Sequence, residues 1–371
     1  MTTNQKFAII GAGNGGKAMA AHLALMGFGV ALYNRTLDHI AEIKARGGLD
    51  LQSPVGVPQG FAKLELTTSN IAEAIKDASV IMVVVPSVGH MNIARSIAPY
   101  VKSGQVVVLN PGRTFGALEF TKTLKEYGCK ADITVAEAET LIYISRSEKP
   151  AEAMIARIKD EVPIAALPSS KTKIVLDKLK GAFPQFVDGI SVLHTGLNNI
   201  GAVFHPALTL LNSGWIEATG GNYQFYTEGL TPSIAQVVRA IDSERVQVAA
   251  SLGIKVRTAL EWLKMSYNST ETDLLSAIHN QYGYNGIKAP PNLNHRYLFE
   301  DVPNGLVPIA SVGLSHGVSA EGMISIIQLS SIVGNTNYWK EGRTAEKLGI
   351  ANLNTQQLIE FVNRGTLPNS K

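Results

Sequence analysis

From Phe7 to about Phe186, short runs of β-branched and other apolar residues alternate with stretches whose apolar positions recur every three or four residues. The first pattern suits strands buried on both faces and the second suits amphipathic helices, so their alternation predicts a mostly parallel sheet with crossover helices. The strand candidates are 7–10, 29–33, 64–67, 80–85, 105–109, 133–136 and 162–166. In the first helical stretch Met19, Leu23 and Met26 fall at spacings of four and three, which places them on one helix face against the sheet. After Val187 the strand-like runs stop and helical periodicity continues to the end of the chain. Ile234, Val237, Val238, Ile241, Val248, Ala249 and Leu252 keep one face apolar for about five turns, a core signature. The pattern therefore predicts an α/β domain over 1–187 and an all-α domain over 188–371. Within the second, segments 228–233, 282–294 and 302–308 are rich in Pro, Gly and Asn, and loops of this kind on a rigid scaffold are where binding groups tend to sit.

Composition narrows the function classes. With 45% apolar and 17% charged residues over 371 positions, the chain can bury a large core. The formal charge is only +3 and no run of five Lys/Arg occurs, so no nucleic-acid partner is expected. The strand-like apolar run at 80–85 is far below the ~18 residues of a membrane helix, and the first apolar run stops at Gly11, too short for a signal segment. No membrane association is expected. Cys129 is the single cysteine, which forbids an internal disulfide and favours a cytoplasmic location with the thiol inert. Without HExxH, paired CxxC or a tight His/carboxylate cluster no metal site is expected, and without GxSxG no serine nucleophile.

The strongest motif follows the first strand candidate. Gly11, Gly13 and Gly16 spell GxGxxG within GAGNGG, where Asn14 and Gly15 complete the turn into the first helix. The first glycine permits the tight turn, the second lets backbone approach a pyrophosphate, and the third allows close helix–strand packing. The α/β domain is therefore read as a Rossmann-type dinucleotide-binding domain. About 20 residues on, where an NAD site places a carboxylate for the ribose diol, the sequence reads Asn34-Arg35-Thr36. No carboxylate stands there to repel a 2′-phosphate, and a guanidinium and a hydroxyl can bind one, so NADPH is favoured over NADH. Pro86 after the fourth strand candidate, and Asn110 and Gly112 in Asn-Pro-Gly after the fifth, lie at the carboxyl ends where α/β sheets bind ligands.

Hydride transfer also needs an acid or base, and histidine is suited by its pKa of ~6.5. Of eight histidines, His205 is singled out by the Pro206 that follows it, which predicts a position near the N-cap of a helix with Pro206 at its first position. There the helix dipole would oppose protonation, so a carboxylate partner would be needed; Asp301, 96 positions later, is one candidate that spacing alone cannot select.

A set of longer blocks adds to this reading. They are GAGNGG, NPG with GALEF (116–120), RSEKP (146–150), HP with TLLN (205–212), YQFYTEGLTP (223–232), NHRY (294–297) running into EDVPNGLVP, and GRTAEKLG (342–349). On these the chain resembles, nearly end to end, the octopine/nopaline (opine) dehydrogenase family, and most closely its bacterial branch acting on amino acids and 2-oxo acids. The resemblance implies a catalytic His–Asp pair at His205 and Asp301, with Arg296 and Tyr284 lining the substrate pocket. It implies reductive condensation of an amino acid or other amine with a 2-oxo acid such as pyruvate, and a homodimer. The relatives carry acidic residues where this chain has Asn34 and Thr36, which sets their NAD preference apart. A rival reading is a reductase of 2-oxo or hydroxy acids similar to ketopantoate or glycerol-3-phosphate dehydrogenases. Those families place a catalytic Lys early in the helical domain, and residues 194–200 hold none. A non-catalytic NADP(H)-binding regulator would be marked by loss of the His or Asp, and both are present.

Overall fold

The computed structural model describes residues 5–54 and 56–366; the chain start and the C-terminal Asn-Ser-Lys, expected to fray, lie outside them. Two compact units are present. One holds the residues up to Thr195 together with those from Glu360 on, and the other runs from Gly196 to Ile359.

The first unit contains strands β1 (Lys6–Ile10), β2 (Gly29–Tyr33), β3 (Gly48–Gln52), β4 (Gly60–Lys63), β5 (Leu66–Thr68), β6 (Val80–Val83), β7 (Val106–Leu109), β8 (Thr134–Ala138), β9 (Tyr143–Arg146), β10 (Glu152–Ile158), β11 (Val162–Leu167) and β12 (Phe186–Asp188). Eight of them form one sheet in the order β12-β11-β8-β7-β6-β1-β2-β5, and every neighbouring pair is parallel except β8–β11. All seven strand candidates fall in this sheet. Its central strands are buried throughout, as four-residue apolar runs such as VIMV and VVVL require.

A second sheet, in the order β4-β3-β10-β9, was not anticipated. Its signal was period-two alternation: in β3, Leu49 and Leu51 are buried, Asp50 between them is half-buried and Gln52 is exposed. Helix α1 (Asn14–Leu25) packs against β1 and β2 of the large sheet and against all four strands of the small one. It is therefore buried around its whole circumference from Gly16 to Leu23, not only along the Met19/Leu23 face. Two polar residues of α1 are accommodated by specific bonds. Lys17 Nζ donates to the Lys149 and Pro150 carbonyls, 3.3 and 3.1 Å away, and burial lowers its pKa. His22 Nδ1 lies 2.8 Å from the Tyr143 hydroxyl, and burial pushes its pKa down to about 4, so it is a neutral core residue at physiological pH. The RSEKP block thus anchors α1. Helix α2 (Gly116–Glu126) follows β7; the buried Glu137 carboxylate accepts the Ala117 N–H at 2.7 Å in its first turn and the Thr195 hydroxyl at 2.7 Å.

The second unit is helical, as its periodicity predicts. Its frame is α3 (Ile200–Leu211), α4 (Pro232–Ser251), α5 (Val307–Ser315) and α6 (Glu321–Val333), with α4 packed on the other three. Thr231 caps α4 ahead of Pro232 at its first position. Buried Arg245 on α4 bonds the Asp242 carboxylate and the carbonyls of Leu197 and Arg257, while Asp242 Oδ2 also accepts the Ala259 N–H at 2.7 Å. Glu244 accepts the Gly322 and Met323 N–H groups at 2.7 and 2.9 Å, charging the start of α6 favourably. The last helix, α7 (Thr355–Arg364), carries the chain back to the first unit.

Candidate active site

The glycine turn joins β1 to α1 at the carboxyl edge of the large sheet. Gly11 has φ +112°, and a Cβ there would lie 2.5 Å from the Val84 carbonyl oxygen. At Gly16 a Cβ would lie 1.8 Å from the Gly11 carbonyl oxygen, so both positions are closed to any side chain. Gly13 differs: a Cβ there would meet no atom within 4 Å. Packing does not require glycine at that position, whereas close approach of a phosphate to the backbone does. Gly13 also serves as the N-cap of α1 and brings no capping side chain, so the first-turn N–H groups of Asn14, Gly15 and Gly16 remain for an anion. The residues present fit a dinucleotide.

Neighbouring expected residues gather at the same edge. Asn34, at the end of β2, accepts the Ala12 N–H through Oδ1 (3.3 Å) and donates Nδ2 to the Thr36 carbonyl (2.9 Å). Its side chain ties the glycine turn to the β2 terminus, while Arg35 and Thr36 are exposed beside it. Pro86 follows β6 and precedes a short 3-10 turn, Ser87–Gly89. Asn110 is buried, its amide donating to the Val108 carbonyl at 3.1 Å, and a Cβ at Gly112 would lie 2.4 Å from the Glu137 Cβ. Asn110 and Gly112 therefore shape the strand end by inward packing.

In the helical unit, His205 is the sixth residue of α3, and Pro206 lies inside the helix. The expected N-cap position is corrected: Asn199 is the N-cap, because the apolar face begins at Ile200 and Val203, ahead of the proline. Pro206 has no N–H for the Ala202 carbonyl one turn back. At that turn Gly305 comes close, since a Cβ on it would lie 2.8 Å from the Ala202 Cβ. Gly305 belongs to a π-helical turn, Val302–Leu306, immediately after Asp301. The turn is braced from behind by the GRTAEKLG block, where Arg343 N–H donates to the Pro303 carbonyl at 3.0 Å.

This packing brings His205 and Asp301 together. Asp301 is the residue before the π turn, yet its side chain does not cap it; Oδ2 lies 2.7 Å from His205 Nδ1. The carboxylate is fully buried and the imidazole is 16% exposed. A buried carboxylate can only accept, so Nδ1 carries the proton in the neutral ring and Nε2 presents its lone pair. The Tyr226 hydroxyl lies 3.1 Å from Nε2 and donates to it. Burial, and then the neighbouring tyrosines and Asp301, hold the Tyr226 pKa well above its ordinary value, so the hydroxyl keeps its proton. Tyr297 stacks on the imidazole with ring centroids 4.1 Å apart at 22°, fixing its plane. His295, the N-cap of the short helix Arg296–Phe299 that carries Tyr297, has its pKa lowered by burial and then by His205.

The two expected pocket residues sit differently. Tyr284 is buried against Tyr226, 4.4 Å between centroids, and backs that tyrosine from the side of Tyr267. Arg296 Nε pairs with Oε2 of the buried Glu300 at 3.0 Å, leaving a guanidinium that is about half exposed. Tyr226 and Tyr297 stand in the YQFYTEGLTP and NHRY blocks without marking themselves as functional, because an aromatic run such as YQFY carries the same pattern as core. Among the described residues no group of three His, Cys, Asp or Glu is placed to hold a metal ion. Among them, too, no helix is long and apolar enough to cross a membrane.

Comparison with known proteins agrees with this geometry. Residues 189–333 match the family model described as NAD/NADP octopine/nopaline dehydrogenase, alpha-helical domain, and residues 6–139 match the N-terminus of NAD-dependent glycerol-3-phosphate dehydrogenase. An opine dehydrogenase of Arthrobacter sp. (strain 1C) is 40% identical over 353 residues, 95% of this chain and 97% of that one. The solved structure of octopine dehydrogenase with NADH and agmatine superposes with a TM-score of 0.80 at 18% identity, covering 99% of this chain and 100% of that one. Yersinopine dehydrogenase with NADP+ bound gives 0.76 at 15% identity, over 98% and 100%. The whole-length match at 40% decides between the two enzyme readings. The chain belongs to the opine dehydrogenase family of NAD(P)-dependent oxidoreductases.

Proposed function

We propose that the enzyme condenses an amino acid with a 2-oxo acid such as pyruvate and reduces the resulting imine with NADPH, giving an N-(carboxyalkyl) amino acid, and runs the reverse oxidation. The observation that carries this is the His205–Asp301 pair, 2.7 Å apart with the carboxylate fully buried. The amine nitrogen bonds to the 2-oxo carbon, and loss of water leaves a C=N bond. Both steps need protons moved: one off the incoming ammonium group, one onto the departing hydroxyl. Once substrate displaces the Tyr226 hydroxyl from its lone pair, Nε2 of His205 is the base for the first and, once protonated and held by Asp301, the acid for the second. Bound NADPH supplies the hydride that the imine carbon receives. Arg296 keeps its terminal nitrogens for a substrate carboxylate, while Nε is held by Glu300. Tyr284 shapes the pocket through Tyr226. NADPH consumption that requires both pyruvate and an amino acid supports this reading; consumption with pyruvate alone would replace it with a simple 2-oxo-acid reductase.

The preference for NADPH rests on exposed Arg35 and Thr36 and on the engagement of Asn34 with the glycine turn. Replacing Arg35 by Asp is expected to reduce kcat/KM for NADPH about 10- to 100-fold, as loss of a charge-assisted phosphate pair implies, and to spare NADH. Equal losses for both cofactors would remove Arg35 from 2′-phosphate binding.

The homodimer is supported by α6, which exposes Leu329, Ile332 (74% exposed) and Val333 on a stretch without charge from Gly322 to Trp339. A chain of 39.7 kDa should sediment at twice that mass, and Ile332→Asp should return it to a monomer. The unpaired Cys129 suits a cytoplasmic location, where a disulfide is not needed; fractionation of cells would check it.

A further inference from the structure

We propose that the first unit holds a second binding site, for a compact carboxylate with an apolar body. The site is a cavity of about 290 Å³ enclosed by α2, the segment leading into β8, the turn after β11 and the end of α7. It lies where the chain enters β8, whereas the glycine turn lies at the carboxyl edge of the same sheet, so the two are on opposite edges. Its walls are maintained by contacts of their own. Ser169 Oγ donates to Asn363 Oδ1 at 2.7 Å, and Gly365 is so close that a Cβ on it would sit 3.2 Å from the Pro168 ring.

Two observations point to the ligand. Leu124, Val135, Leu167 and Phe361 line the interior, which suits an aromatic or branched hydrocarbon body. Lys125, Lys130, Lys171 and Arg364 also line the cavity, with Asp132 the one carboxylate among the lining residues; Lys171 pairs with Asp132 at 2.8 Å and Arg364 with Glu360 at 3.1 Å, which leaves the charges of Lys125 and Lys130 in excess. The field at the mouth is therefore positive and selects an anion. The volume is at the small end for ligand pockets and admits a molecule of about ten non-hydrogen atoms.

Cys129 lies in the wall and reports occupancy. The probe is 3-phenylpropionate, which has neither an oxo group nor an amine and so cannot be turned over. In the full-length protein, the rate at which iodoacetamide alkylates Cys129 should fall in a saturable way, about tenfold at ten times the dissociation constant. The uncharged 3-phenylpropanol should protect at least tenfold more weakly. Saturating NADPH should leave the protection unchanged. The double variant K130E/R364E should lose it while still binding NADPH. If the double variant does not fold, K125E on the exposed end of α2 provides the same reading. Absence of protection, equal protection by the alcohol, or protection abolished by NADPH would each overturn the site.

Discussion

Replacing His205 by alanine is expected to lower turnover about 10²- to 10⁴-fold while leaving the dissociation constant for NADPH unchanged. The size of the loss follows from what the imidazole does in this arrangement. Asp301 holds the Nδ1 proton at 2.7 Å and Tyr297 stacks on the ring, so Nε2 is aimed and basic before substrate arrives. Alanine removes the imidazole that can both take and return a proton near neutral pH, while burial keeps Tyr226 protonated. NADPH affinity is unaffected because the cradle at Gly11, Gly13 and Gly16 draws on the backbone of the first unit. Single-turnover reduction with premixed amine and 2-oxo acid measures the effect, and unchanged turnover would remove His205 from the chemistry. Alanine also leaves a buried carboxylate without its partner, so His205→Gln, which can still donate to Asp301, separates chemistry from stability: it should fold normally and remain slow. Tyr226→Phe should fall between the wild type and these variants, because it removes a donor and keeps the base.

The Rossmann-type domain was legible because its signals are local. The central strands of the large sheet are apolar runs, and Gly11 and Gly16 are fixed by contacts with each other's segment or with the residues just after β6. The small sheet was missed because its strands mix buried and exposed residues, and pairing β3 with β10 joins segments about a hundred residues apart, which no local window contains. The His205–Asp301 pair was out of reach of spacing for the same reason; the resemblance supplied it, and the structure shows the packing that makes it possible, Gly305 against Ala202. The helix around His205 was misplaced because proline marks a first turn more often than an interior, and here the apolar face starting at Ile200 outweighs the lost Pro206 bond. Arg296 was expected to line the substrate pocket, and the structure gives its Nε an ion pair. Its pairing with Glu300 depends on the single turn between them, and that turn is held by contacts the sequence does not display.

The second large effect concerns stability. Arg245→Met is expected to cost about 3–5 kcal/mol, the range for removing one partner of a buried ion pair. Arg245 is fully buried and binds Asp242 through two nitrogens, at 3.1 and 2.6 Å, the Leu197 carbonyl at 2.6 Å, and the Arg257 carbonyl. Methionine matches much of its length but leaves the Asp242 charge and two carbonyls in a dry interior. The contacts also join three segments, the lead into α3, the middle of α4 and the stretch before Ala259, so their loss loosens the frame that sets α3 against the Asp301 turn. Urea denaturation followed by far-ultraviolet circular dichroism should show a lower midpoint with the slope retained. The same physics makes a further demand. If the cost is chiefly an uncompensated charge, then adding Asp242→Leu to Arg245→Met should recover part of the loss, although a second native group has been removed. If the double variant is instead less stable by the sum of the two single effects, the guanidinium acts mainly through the Leu197 and Arg257 carbonyls, and the ion pair contributes little.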